Sequence, residues 1–233
     1  INMPRLIEII GSPGSGKTFI CSELEKLKKN DEQIFFHSSN YKNFIKYKNL
    51  NPFYKILIKF KVIFIIIIFC LIFSKRLFLK KVYKRNFFFR VIFLFYRHLV
   101  SIELLKKALP DDKYLILEPG PIMYFLQDYF YVDEHISESE IKIFNKIFLN
   151  TNYIIHSNCN FELLIKRLSL RDRGLPARMR GLNNNEIKST IKKSTAVLDD
   201  YIIKSNNLDA KIININTSNS AQDIKYKILN ILN

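Results

Sequence analysis

The sequence predicts an α/β fold built on a doubly wound, five-stranded parallel sheet, and three observations lead to this prediction. Short apolar runs alternate along the chain with segments of helical spacing. The first apolar run ends in a glycine-rich loop that leads into one of these helical segments. A basic, apolar segment then interrupts the alternation between the second and third runs, which predicts an insertion into a regular core.

Five apolar runs have the length and composition of buried strands in a parallel sheet. They are predicted at Leu6–Ile10, Gln33–Ser38, Tyr114–Glu118, Tyr153–Ser157 and Lys211–Ile215. Helices are predicted between and after them, at Thr18–Lys29, 137–150, Phe161–Ser169, Glu186–Ser205 and Ala221–Leu232. The second of these helices opens with Ser137 and Glu140, which have the spacing of a capping box.

The glycine-rich loop fits the pattern G-x-x-x-x-G-K-[ST] of a phosphate-binding loop (P-loop) at every fixed position. Glycines allow the backbone to curl so that successive N–H groups point at phosphate oxygens, and the following helix directs its positive end at the same anion. Lys17 is expected to bridge the β- and γ-phosphates of a nucleoside triphosphate, and the Thr18 hydroxyl to ligate Mg²⁺. The predicted nucleotide-binding residues in this loop are Gly11, Ser12, Gly14, Ser15, Gly16, Lys17 and Thr18.

Glu118 stands at the carboxyl end of the third predicted strand, where parallel sheets place their binding sites. A carboxylate there can hold Mg²⁺ through water or accept the proton of an attacking hydroxyl. The sequence has no N-K-x-D or L-S-G-G-Q-like motif, which disfavours a GTPase and a transporter ATPase.

With these features, residues 3–39 and 110–233 resemble the core of the adenylate-kinase-like P-loop kinases, which act on nucleosides, nucleotides and metabolites. The resemblance rests on the P-loop near the amino terminus, on Glu118, and on a cluster of arginines after the fourth strand and its helix. It implies Mg-ATP-dependent transfer of the γ-phosphate to a small acceptor, with Glu118 as base or metal support. The sequence Pro-Gly-Pro after Glu118 departs from the Arg that commonly follows this acid in the group.

The resemblance also implies an arginine-rich lid that closes over the triphosphate and neutralises charge on the transferred phosphoryl group. Arg171 and Arg173 are the predicted catalytic members of this lid, and Arg178 is expected to contact ATP. Arg167 and Arg180 belong to the same cluster.

Residues 40–109 form the interrupting segment and carry 16 Lys or Arg against one acid, Glu103, so nearly all of the net charge of +16 lies here. The run Val62–Phe73 contains twelve apolar residues, fewer than the roughly 18 that a membrane-spanning helix needs. Two alternatives stay open for this predicted helical subdomain. It packs on the core on the acceptor side, or it rests on an anionic membrane. The long apolar runs disfavour a nucleic-acid partner.

Cys21, Cys70 and Cys159 are far apart and form no C-x-x-C pair, which favours free thiols in a reducing compartment. No secretory signal is recognised, so a cytoplasmic location is expected, with attachment at the inner membrane face if residues 40–109 bind lipid. The alternative to a kinase is an NTP-binding peripheral membrane protein in which the nucleotide acts as a switch.

Overall fold

The computed structural model describes residues 4–27, 35–37, 50–79, 85–109, 113–127, 136–148, 151–171, 174–176, 179–205 and 210–232. Within these residues the strands are β1 (Arg5–Ile10), β2 (Phe35–His37), β3 (Tyr114–Leu117), β4 (Tyr153–Asn158) and β5 (Lys211–Asn216). The helices are α1 (Lys17–Leu27), α2 (Pro52–Leu79), α3 (Arg85–Ala108), α4 (Pro121–Gln127), α5 (Glu138–Phe148), α6 (Phe161–Ser169), α7 (Asn184–Lys204) and α8 (Ala221–Leu232).

The strands form a parallel sheet in the order β2-β3-β1-β4-β5. Four of them have four to six residues, and the three-residue β2 adds to the edge beside β3. The strand that carries the P-loop is thus flanked by β3 on one side and β4 on the other. The predicted α/β class with a parallel sheet is confirmed.

Helices cover both faces of the sheet. On one face α1 and α8 pack on alternate residues of the strands, including Ile7 and Ile9 of β1. On the other face α2, α3, α4, α5 and α7 pack around Ile10 of β1 and Ile154 of β4. Glu8 lies in β1 between Ile7 and Ile9, so its side chain leaves the sheet on this second face, as expected from the alternation of a strand.

Local sequence explains where several helices begin. The predicted capping box at the start of α5 is present, because the Ser137 backbone N–H donates to Glu140 Oε2 and the Glu140 backbone N–H donates to Ser137 Oγ. A second capping box, between Asn183 and Glu186, starts α7 two residues earlier than the sequence analysis predicted. The short helix α4, which follows directly on Gly120, was not predicted.

Helices α2 and α3 lie between β2 and β3 in the chain and pack against each other. Their buried residues join the same apolar core as α4, α5 and α7. None of the described helices combines the length and the apolar character that crossing a membrane requires. The division of the chain into a core and an inserted subdomain stays a prediction.

Candidate functional site

The P-loop connects the end of β1 to the start of α1, and its glycines are required by the geometry. A Cβ atom on Gly11 would lie 2.4 Å from the carbonyl oxygen of Ser157, a distance that no real side chain adopts. Gly16 has a φ of +89°, a backbone conformation that L side chains rarely adopt. The residues that the motif fixes as glycine are therefore the ones that the folded loop needs as glycine.

Hydroxyl groups from distant parts of the chain hold the loop in place. Ser157 Oγ, in β4, and Thr217 Oγ1, just after β5, each donate a hydrogen bond of 2.7 Å to the Ser15 carbonyl oxygen. Ser12 Oγ shares a hydrogen bond of 2.9 Å with Thr195 Oγ1 of α7. The loop backbone is thus fixed before any ligand binds, which lowers the entropic cost of binding one.

Arg167 supports this arrangement rather than extending towards the predicted lid. Its guanidinium donates two hydrogen bonds of 2.8 Å to Thr217, one to the hydroxyl and one to the backbone carbonyl. Because Thr217 in turn contacts the carbonyl of Ser15, Arg167 connects α6 to the P-loop through a single residue. The sequence placed Arg167 in the arginine cluster but gave no sign of this contact, which spans 50 residues.

Lys17 begins α1 and folds back along the loop. Its Nζ donates hydrogen bonds of 2.6 Å to the Gly11 carbonyl oxygen and 2.9 Å to that of Ser12. Burial lowers the pKa of Lys17 to about 8, while the negative charge of Glu118 acts in the opposite direction. The ammonium group is thus still mainly charged at neutral pH and lies within electrostatic reach of Glu118.

Glu118 follows β3 directly and lies against α1. The Cys21 thiol, one helical turn after Lys17, donates to Glu118 Oε2 at 3.6 Å. Burial raises the pKa of Cys21, and the charge of Glu118 raises it further, so the thiol keeps the proton that it donates. The predicted carboxylate and the predicted phosphate-binding lysine therefore lie near each other, beyond the carboxyl ends of β3 and β1.

The residues present suit a triphosphate with Mg²⁺. Ser15 is buried and its hydroxyl has no partner within the described residues, so the loop retains an unused donor. The Thr18 side chain is exposed in the first turn of α1. No group of three or more His, Cys, Asp or Glu that could hold a metal is found among the described residues. Magnesium does not need such a cage, because it commonly binds through one or two carboxylates together with phosphate oxygens.

The predicted lid is described only in part. Arg171 is exposed, and its charge contributes to lowering the pKa of Lys17, which indicates that the two cations are near each other. Arg180 is also exposed, and its Nε donates to the Leu175 carbonyl oxygen at 3.3 Å. Arg173 and Arg178 lie outside the described residues, so the roles predicted for them stay predictions.

Glu8 is a buried polar residue that the sequence analysis did not single out. It is 0% exposed, its Oε1 accepts a hydrogen bond from the Met123 backbone N–H, and its Oε2 has no partner within the described residues. A Cβ on Gly120 would lie 2.2 Å from Glu8 Cδ, so the turn after Glu118 packs directly on this carboxyl group. Burial raises the pKa of Glu8 to about 8, which keeps it protonated at neutral pH. The sequence signal that could have identified Glu8 as a buried acid is its position within the otherwise apolar run of β1.

The fold agrees with that of a solved kinase over nearly its whole length. The deoxyadenosine kinase of M. mycoides, solved with its products dCMP and a flexible dCDP bound, superposes with a TM-score of 0.55 and shares 16% identity over 97% of this chain and 98% of that chain. The chain therefore has a fold of the kind found in this P-loop kinase. At this level of identity the likeness concerns the fold alone.

Other comparisons add little to this result. Shikimate kinase from Bacteroides thetaiotaomicron aligns over 98% of this chain and 96% of that chain, at 13% identity and a TM-score of 0.45, which is too low to support an argument. No protein-family model and no curated protein matches the sequence. The chemistry of this P-loop kinase-like chain therefore has to be argued from its own residues.

Proposed function

We propose that this protein is a Mg-ATP-dependent kinase that transfers the γ-phosphate to a small acceptor, either a nucleoside, a nucleotide or a sugar-type metabolite. The observation that supports the proposal is that Glu118, which follows β3, lies close enough to the P-loop for its charge to act on Lys17 and for its carboxylate to contact Cys21 of α1. Lys17 supplies positive charge at the P-loop, and Glu118 supplies a carboxylate from the neighbouring strand. Phosphoryl transfer requires both, since it depends mainly on positioning and on charge stabilisation.

Each residue has a role that follows from its position. The amides of the P-loop and the Lys17 ammonium bind the triphosphate, and the Ser15 hydroxyl is available as a further donor. Thr18 and Glu118 would hold Mg²⁺, which when bound neutralises charge on the phosphate oxygens. Glu118 either supports the metal through water or accepts the proton of the acceptor hydroxyl, and both roles remain compatible with its position after β3.

Arg171 is a predicted lid residue within the described part of the chain, and its effect on the pKa of Lys17 supports a role at the triphosphate. In the proposal it acts with Arg173 and Arg178, whose planar guanidinium groups can each bind a phosphate oxygen pair. Closure of these side chains over the nucleotide would exclude water, so that the phosphoryl group reaches the acceptor rather than solvent.

The acceptor would lie on the β3 side of the P-loop, because Glu118 leads from β3 into α4 and because β2 adds to β3 at the edge of the sheet. Residues 40–109 follow β2 in the chain and would complete this side. A nucleoside or nucleotide is the first choice, and a sugar-type metabolite is the second. The competing proposal is an NTP-binding protein that performs no transfer and uses the nucleotide as a switch.

The test is ADP production from Mg-ATP with a panel of nucleosides, nucleoside monophosphates and simple sugars. We expect one class of acceptor to stimulate ADP release, and Lys17→Ala to reduce the rate by at least about a thousandfold because it removes charge from the transition state. Lys26→Ala is the matched control, since Lys26 lies on the same helix with its side chain 70% exposed. Full activity in Lys17→Ala would refute the proposal, while ATP binding without transfer to any acceptor would favour the switch.

A further inference from the structure

Helix α2 has apolar residues on two opposite sides, and only one side is covered. Ile58, Val62, Ile66 and Phe69 recur at spacings of three and four and are buried in the core. At 3.6 residues per turn, a second set with similar spacing falls on the opposite side of the helix. This second set, here called the outer stripe, consists of Phe53, Ile56, Leu57, Phe60, Ile63, Phe64 and Ile67.

The outer stripe is strongly exposed. Phe60 is 66% exposed and Phe64 is 64% exposed, and every member of the stripe is at least 42% exposed. Ten of the fifteen exposed large hydrophobic side chains in the described part of the chain lie on α2 and α3. Isolated exposed apolar residues need no explanation, but a continuous stripe of seven marks a surface that binds something.

Basic residues border the stripe on both sides. On the helix, Lys59 lies beyond Ile63 at one edge and Lys61 lies beyond Leu57 at the other, and both lysines are exposed. The single acid of residues 40–109, Glu103, accepts hydrogen bonds from both Lys61 and Lys106, so these three charges together remain net positive. The arrangement is that of a helix whose apolar side enters a lipid interface while its lysines stay at the headgroups.

Charge decides between the partners that could cover the stripe. Residues 40–109 carry 16 basic residues and one acid, so stacking two copies of this segment would bring like charges together. An anionic bilayer has the opposite charge and an apolar interior, and it therefore satisfies both features at once. Phosphates of a nucleic acid would satisfy the lysines but not seven aliphatic and aromatic side chains.

We propose that the outer stripe of α2 binds the surface of an anionic phospholipid bilayer, with the helix lying in the plane of the interface. The stripe inserts its aliphatic and aromatic side chains among the acyl chains, while Lys59 contacts the phosphate groups and Lys61, whose Nζ is hydrogen-bonded to Glu103, adds to the positive charge beside the stripe. The inference does not depend on the proposed kinase activity, because it concerns the side of α2 that faces away from the core.

The test uses the absence of tryptophan from the sequence. In Phe64→Trp the new indole is the sole tryptophan and reports on the stripe alone. We expect its emission to shift to the blue when vesicles of phosphatidylcholine with phosphatidylserine are added, and not when pure phosphatidylcholine vesicles are added. Tyr226→Trp is the control, since Tyr226 is 67% exposed on α8, away from the stripe, and its emission should stay unchanged.

Co-sedimentation of the unaltered chain and its variants with the same vesicles measures the strength of binding. Phe60→Ser with Phe64→Ser should weaken binding at least about tenfold, because two large apolar groups no longer enter the bilayer. Ile203→Ser with Tyr226→Ser removes two equally exposed side chains elsewhere and should have no effect.

Three results would overturn the inference. The first is the failure of the unaltered chain to sediment with anionic vesicles. The second is sedimentation without a shift of the Phe64→Trp emission, which would show binding by charge alone. The third is an emission shift that depends on protein concentration without lipid, which would show that a second copy of the chain covers the stripe.

Discussion

The P-loop and helix α2 are held in place by different kinds of contact. The P-loop is held by hydrogen bonds. The Ser15 carbonyl accepts hydrogen bonds from Ser157 and Thr217, and the Lys17 side chain donates to backbone carbonyls of the loop. Helix α2 is held by apolar packing, and among its described side chains the side that includes Val62 and Ile66 is the one buried in the core. The P-loop motif predicted which residues form the loop, whereas the apolar pattern of α2 did not predict which of its two apolar sides would be covered.

After Lys17→Ala, the largest effect is expected at the carboxylate that lies near the P-loop. Glu118→Gln keeps the shape and the acceptor oxygen for the Cys21 thiol but removes the negative charge. If Glu118 acts as base or metal support, kcat should fall by about a hundredfold or more. The measurement is the steady-state rate of ADP formation at saturating Mg-ATP and acceptor.

Glu162→Gln is the matched control for this change, because Glu162 is exposed on α6 and should tolerate it. A KM for ATP that rises while kcat stays constant would assign Glu118 to ground-state binding. Normal kinetics in Glu118→Gln would contradict the role proposed for this residue.

The second effect compares the two sides of α2 at neighbouring positions. Ile66 is 8% exposed and Ile67 is 50% exposed, so the same substitution tests the inner and the outer side. Ile66→Ala should lower the free energy of unfolding by about 2–4 kcal/mol, and Ile67→Ala by less than about 1 kcal/mol. Urea denaturation followed by circular dichroism measures both. Equal losses would mean that the outer stripe is also packed against protein.

The third and smallest effect concerns the dependence of stability on pH. In the folded protein burial raises the pKa of Glu8 to about 8, so the folded state holds this proton more tightly than the unfolded chain does. The contribution of Glu8 to stability is thus complete below the unfolded pKa near 4.5 and decreases as the pH rises to about 8.

Glu8→Gln mimics the protonated form and should remove this dependence, with a difference on the order of 2 kcal/mol between pH 5 and pH 8. The free energy of unfolding of both proteins is measured by urea denaturation at several pH values. Parallel curves would show that Glu8 is ionised in the folded state. The same substitution at Glu118 is predicted to affect the rate instead, which separates the roles of these two carboxyl groups.

Much of the fold could be predicted because its signals are local. The residues from Gly11 to Thr18 fit a local motif that requires glycine at its first and sixth positions. The folded loop requires glycine at the same positions, because a Cβ on Gly11 would clash and because Gly16 has a positive φ. The capping box of Ser137 and Glu140 was predicted for the same reason, since the two residues are three positions apart. The meeting of Glu118 with the P-loop followed from the order of strands in this kind of sheet.

Other features could not be predicted because they depend on contacts between distant residues. Arg167 was grouped with the lid arginines by proximity in sequence, but its partner Thr217 is 50 residues away. Helix α4 was not predicted, although proline is well suited to the first position of a helix and Pro121 occupies that position in α4.

The sequence by itself determined the phosphate-binding loop, the alternation of strands and helices, and the concentration of positive charge in residues 40–109. These properties depend on short-range geometry and on composition, and both can be obtained from the amino-acid sequence alone. Only the tertiary structure decided that burial raises the pKa of Glu8, that Arg167 supports the loop, and which side of α2 is left exposed. The physical reason is that burial is a property of the neighbours in space, and the alternating or helical pattern of a segment does not say which neighbours will cover it.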